Sequence, residues 1–172
     1  MKYFRIIPSM LIQGSCVVKT VRFKNPTYIG DPINAVRMLS ELEADEIVII
    51  SKDAILSENI DSDFIKKIVA YSHVPISYCG ALKSIDDFHK LLNLGVDRII
   101  INSALVQEPN LALEISRRFG SQNLLGAIDY KKSIYGSRLI YTSSGRDKRS
   151  LKIIDHCMHL EQCGVGEIIL TS

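Results

Sequence analysis

No run in the 172 residues approaches the roughly 18 consecutive apolar side chains that a membrane-spanning helix requires. Nor does the start resemble a secretory leader, because Met1 to Arg5 leads straight into a strand-like run. An excess of one charge is missing too. Twenty-one Lys and Arg against 19 Asp and Glu leave +2, too little to argue for nucleic acid or another polyanion. The four cysteines, Cys16, Cys79, Cys157 and Cys163, follow no framework spacing. Free thiols and a cytoplasmic location are expected. What the chain does have is core-forming mass. With 47% hydrophobic residues, it can build one sizeable domain and is not a disordered tail.

Short apolar runs alternate with amphipathic stretches. The runs are Phe4 to Leu11, Ile47 to Ile50, Val74 to Tyr78, Arg98 to Ile101, Asn123 to Ile128 and Glu167 to Thr171. Several are Ile- and Val-rich and nearly continuous, as strands buried on both faces are. Helical periods lie between them. Asp31-Pro32 supplies an N-cap and a first helical residue, with Ile33, Val36, Leu39 and Leu42 as the apolar face. Asp61 to Tyr71 repeats the pattern with Phe64, Ile65 and Ile68. Ser84 caps a helix that faces inward through Phe88, Leu91 and Leu92 and ends at Gly95. Pro109 opens one that Gly120 closes, and Leu151 to Cys163 is stopped by Gly164. Strand and helix in strict alternation predict a parallel α/β fold.

Two connections are long, Gln13 to Gly30 and Tyr130 to Arg149, and they align. Gly14 to Thr20 matches Gly136 to Thr142, and Glu46 to Ile49 matches Glu167 to Leu170. Both offsets are about half of the roughly 250 residues of a (β/α)8 barrel. The expected fold is an incomplete (β/α)8 barrel of about six βα units from a duplicated half-barrel. It would form one partial domain over residues 1–172 that lacks the last two units.

Further motifs run in order along the chain. They are Arg5 to Pro8, Val17 to Lys19, Phe23, Asn25, Gly30 to Pro32, Ala44 to Glu46, Asp53-Ala54, Ile101 to Ala104, Phe119 to Gln122, Ala127 to Asp129 and Gly166 to Ser172. Together they resemble the cyclase subunit of imidazole glycerol phosphate synthase. The resemblance implies a lyase-type cyclase of histidine biosynthesis that needs no cofactor or metal. Such a subunit takes ammonia from a glutaminase partner and closes a ring on a small phosphorylated substrate. In that family two carboxyls do the acid–base work; Asp129 matches one, and Leu11 stands where the other is expected. A third acidic position holds Ser51. Lys19, Gly80, Asn102 and Ser103 match substrate- and phosphate-binding positions, although Cys79-Gly80-Ala81 replaces a triple glycine. Arg5, Glu46, Arg98 and Glu167 match a charged ring that gates ammonia entry at the strand starts. Glu46→Ala is expected to disturb glutaminase coupling and leave the fold intact.

Leu11 beside Val18 to Pro26 is similar to paralogues in polysaccharide biosynthesis, which implies the alternative of a non-catalytic ammonia-channelling subunit serving a sugar amidotransferase. An open barrel seam implies self-association. Two other features have simpler readings. His156, His159 and Cys163 share a helix face, but no fourth zinc ligand accompanies them. Lys131-Lys132 and Arg146 to Arg149 read as a solvated loop, with phosphate clamping as the functional alternative. Met10 and Tyr78 read as core.

Overall fold

The computed structural model of the chain describes residues 4–21, 24–132, 138–142, 147–149 and 151–171. Met1, Phe23, Gly136, Arg146 and Ser172, all named above, lie outside the described residues. The chain forms two compact units, Met1–Leu82 with Asp86–Ile99, and Lys83–Ile85 with Ile100–Ser172.

In the first unit the strands are β1 (Ser9–Gln13), β2 (Cys16–Val21), β3 (Lys24–Gly30), β4 (Ile47–Ser51), β5 (Ile76–Cys79) and β6 (Arg98–Ile101), the last of which carries the chain into the second unit. Their order is β3-β2-β1-β4-β5-β6. β1, β4 and β5 pair in parallel, as Ile-rich strands linked through helices must. The first long connection is more regular than expected, a two-stranded antiparallel excursion that pairs back onto β1. The helices are α1 (Pro32–Glu41), α2 (Lys52–Ser57), α3 (Ser62–Ala70) and α4 (Ile85–Asn93). Each of the first three has a side-chain cap: Asp31 accepts from Asn34 N, Ser51 from Ala54 N and Asp61 from Phe64 N. Ile12, Val36, Ile47, Ile68, Ile76, Phe88, Leu91 and Ile99 are almost wholly buried. Each such side chain contributes roughly 1.5–3 kcal/mol relative to exposure.

Two expectations are corrected here. The first strand begins at Ser9, not Phe4, and Phe4 and Ile6 are exposed. Pro8 has no N–H to give a ladder, although its carbonyl already accepts from Val48 N. Leu42 is not on the buried face of α1; it is the C-cap residue and lies exposed.

The second unit repeats the plan. It contains α5 (Ser103–Gln107), α6 (Pro109–Phe119), a 3-10 turn (Ser121–Asn123), β7 (Leu124–Lys132), β8 (Arg138–Thr142), β9 (Asp147–Arg149), α7 (Ile153–Gln162) and β10 (Glu167–Thr171). β10 pairs in parallel with β7, and β7-β8-β9 form an antiparallel excursion. Thus β7, like β1, has a parallel neighbour and an antiparallel hairpin. This matches the repeat read from the sequence. The α/β architecture with parallel strands is the expected one, consistent with an incomplete (β/α)8 barrel.

Gly166 lies against the backbone carbonyl of Ser121, leaving no room for a Cβ. Gly166→Ala must therefore move backbone rather than a side-chain tip. A loss of about 1–3 kcal/mol is expected, read as a lower midpoint in urea unfolding; an unchanged midpoint would show that the turn yields freely.

Candidate functional site

Parallel strands begin on one side of their sheet, so residues just before or at the starts of β1, β4, β5 and β6 converge. In the first unit this gathers Arg5, Glu46, Ser77 and Arg98. Glu46 is 2% exposed. Its Oε2 accepts from Arg98 Nη1 at 2.8 Å and lies 3.5 Å from Arg5 Nη1. Its Oε1 accepts from the hydroxyl of Ser77, which is wholly buried. Burying a carboxylate is costly unless both oxygens are satisfied, and here they are. A superficial ion pair is excluded for Arg98–Glu46, so Glu46→Ala can no longer be expected to spare the fold. Glu167 opens β10 in the second unit, half-buried and opposite Leu125.

Ser77 was not foreseen. A single serine in an apolar run gives no signal until its strand neighbour proves to be a buried acid.

Asp129 stands in the second unit, where β7 passes from its β10 partner to its β8 partner. Thr171 is across from it on one side and Tyr141 on the other. Asn102 Nδ2 donates to Asp129 Oδ2 at 2.8 Å. Burial pushes the Asp129 carboxyl above the usual range, against the opposing pull of the Asn102 hydrogen bond, the Lys131 charge and the Thr171 hydrogen bond. A carboxyl so placed can hold or release a proton closer to neutrality than a solvated one. Asn102, read from sequence as a phosphate donor, has its side-chain amide turned to Asp129. Ser103 is the first residue of α5, half-buried.

The other predicted positions lie in the first unit. Leu11 is half-buried in β1, opposite Val18 and Ile50, with no proton to transfer. Lys19 is exposed on β2, opposite Thr27. Gly80 is buried, and a Cβ there would crowd the Tyr78 hydroxyl, Ala54 and the Ser51 carbonyl. Ala81 keeps a left-handed backbone, φ 51°, which costs an alanine about 1–2 kcal/mol. Ser51 caps α2 and is hydrogen-bonded to Tyr78, whose phenol burial pushes up to about 12. Tyr78 and Met10 are core residues. Beyond the ends of β1 and β4 opens a cavity of about 410 Å³, bounded by Ile12, Ser51, Asp53, Asp61 and Phe64. Asp53 accepts there from Gly14 N at 2.6 Å.

The helix face suggested for zinc brings Cys163 Sγ within 3.7 Å of His159 Nε2. His156 is buried, which lowers its proton affinity. Among the described residues no group of three or more His, Cys, Asp or Glu side chains is placed to hold a metal ion. The four cysteines are free thiols. No described helix is long and apolar enough to cross a membrane.

The model of the histidine biosynthesis protein family matches residues 5–172. The chain belongs to that family. Family relatives agree along nearly its whole length. A Pseudomonas aeruginosa protein, provisionally named imidazole glycerol phosphate synthase subunit hisF2, is 36% identical over 169 residues, which cover 98% of this chain and 67% of that protein. A Vibrio vulnificus protein, provisionally named as subunit hisF3, is 34% identical across 96% of this chain and 65% of its own length. The imidazole glycerol phosphate synthase subunit HisF of Streptococcus mutans is 34% identical across 98% of this chain and 67% of its own. The chain therefore spans about two thirds of the length of these relatives.

Proposed function

We propose that this chain is an ammonia-handling subunit of the cyclase type found in imidazole glycerol phosphate synthase. A glutaminase partner supplies ammonia at the strand starts of the first unit. In the second unit Asp129 serves a small phosphorylated substrate as acid–base group, with Asn102 and Ser103 as candidate substrate contacts; Lys19 and Gly80 are candidate contacts of the first unit. The carrying observation is the buried Glu46, held between Arg98, Arg5 and Ser77 at the strand starts. Side chains paired in this way keep a floor closed and can part for a small neutral molecule. A hydrated cation must shed water to follow.

Ring closure with carbon–nitrogen cleavage requires protons to be both removed and delivered. With Leu11 in place of one carboxyl, cyclisation by this chain is expected to fall about 10²–10⁴-fold below that of a relative with both. Leu11 favours a second reading, in which the chain passes ammonia to a sugar amidotransferase without cyclising anything itself.

The test supplies purified chain with the phosphoribosyl substrate, first with ammonium salts and then with a cognate glutaminase subunit. Weak turnover with salts and a stable glutaminase complex are expected. Turnover equal to a full relative's would remove the claim of impairment, and failure to bind any cognate glutaminase would overturn the proposal. β10 pairs only with β7 among the described residues and leaves Leu170 exposed. Such an apolar edge recruits strands, so light scattering on the same sample should show self-association.

A further inference from the structure

Lys131 is two residues beyond Asp129 on β7 and so shares its face of the strand. Its Nζ sits 4.3 Å from the centre of the Tyr141 ring. Tyr141 is the ladder partner directly across from Asp129. The register thus brings together a carboxyl, an aromatic ring across from it and an ammonium lying over that ring. An aromatic face attracts a cation, which biases the rotamers of a flexible lysine.

We propose that Lys131, braced on the Tyr141 ring, is a positioning residue for the Asp129 carboxyl. The inference rests on the reading of Asp129 as the acid–base group. The groups around that carboxyl are few. β10 contributes Thr171 and the cap of α5 contributes Asn102, both neutral. β8 contributes Tyr141, and β9 contributes Lys148, which lies opposite Tyr141 on the same face. On the opposite face of β7 the surroundings are apolar at Gly126, which meets Leu105, Leu160 and Val165. Lys131 is the cation that follows the carboxyl on its own face of the strand, and its charge counters burial there. A carboxyl drawn in both directions is suited to giving and taking a proton within one cycle.

The experiment is a carbon-13 NMR titration of the Asp129 side chain in the full chain, assigned by its loss in Asp129→Asn. Lys131 is exposed, so Lys131→Met should keep the fold, checked by the amide spectrum. The Asp129 midpoint should move upward in Lys131→Met and return toward wild type in Lys131→Arg. Tyr141→Leu, which frees the lysine to swing into solvent, should produce a smaller upward shift. An unmoved midpoint in Lys131→Met, or Lys131→Arg behaving as the methionine variant does, overturns the proposal. A cyclisation assay runs separately on the wild-type chain. Absence of turnover there would count against the acid–base reading and leave the titration result standing.

Discussion

Replacing Glu46 by alanine should cost about 3–5 kcal/mol of folding free energy, the usual consequence of removing one member of a buried charge pair. The Arg98 side chain is only 14% exposed, and without Glu46 it would be a cation with little water to solvate it. Ser77 would lose its acceptor in a fully buried position. Arg5 behaves differently. Its side chain is 45% exposed and its contact with Glu46 is long, so loss of that contact in Arg5→Ala should change stability by no more than about 1 kcal/mol. Urea unfolding of the two variants checks the contrast. Equal midpoints for Glu46→Ala and wild type would mean that the cluster relaxes at no cost. The contrast also makes Arg5→Ala the cleaner probe of ammonia transfer, because a change in coupling there would not be confounded by loss of fold.

Asp129→Asn should have the largest effect on any cyclisation, a fall of about 10²–10⁴-fold. It should also alter the pH dependence of stability in the opposite sense to a salt-bridged carboxylate. Burial raises the folded-state proton affinity of Asp129 above its ordinary value. Between the unfolded and folded midpoints the folded chain therefore binds more protons, and stability falls as pH rises through that window. Asparagine removes this contribution. The variant should have a flatter stability profile there and be at least as stable as wild type at neutral pH. Urea midpoints measured across mildly acidic pH test the sign; a variant that loses stability uniformly would show that the ionised carboxylate is favoured by the fold.

The parallel strands were legible because strands buried on both faces must be rich in Ile and Val, and Ile47 to Ile50 and Arg98 to Ile101 are. Caps were legible for a similar local reason, since Asp31-Pro32 and Asp61 satisfy orphan N–H groups within three residues. β3 was not legible. Tyr28 and Ile29 are exposed there, so no burial imposed a pattern on Lys24 to Gly30. The start of β1 was misplaced because apolar residues at Phe4 and Ile6 look like a strand but lie in solvent. In the candidate site, the charged members could be named because the chain resembles a family in which those positions carry charge. Ser77 and the turn of Asn102 toward Asp129 could not be. Both depend on which strands become neighbours, and that information lies in tertiary pairing rather than in any local run.

A ribosome delivers nearly all of the first unit before β7 to β10 exist. β1 to β5 can zip together as they emerge, each strand meeting a partner that is already present. Glu46, however, must wait 52 residues for Arg98. During that interval the nascent chain carries a carboxylate at its strand starts with its main cationic partner still to come. Locking of this floor is thus a late step in vectorial folding, set by translation past β6. Synonymous codon changes that slow elongation while Arg98 is still inside the ribosome should lengthen the exposure of this open floor to chaperones, whereas pauses after it has emerged should not.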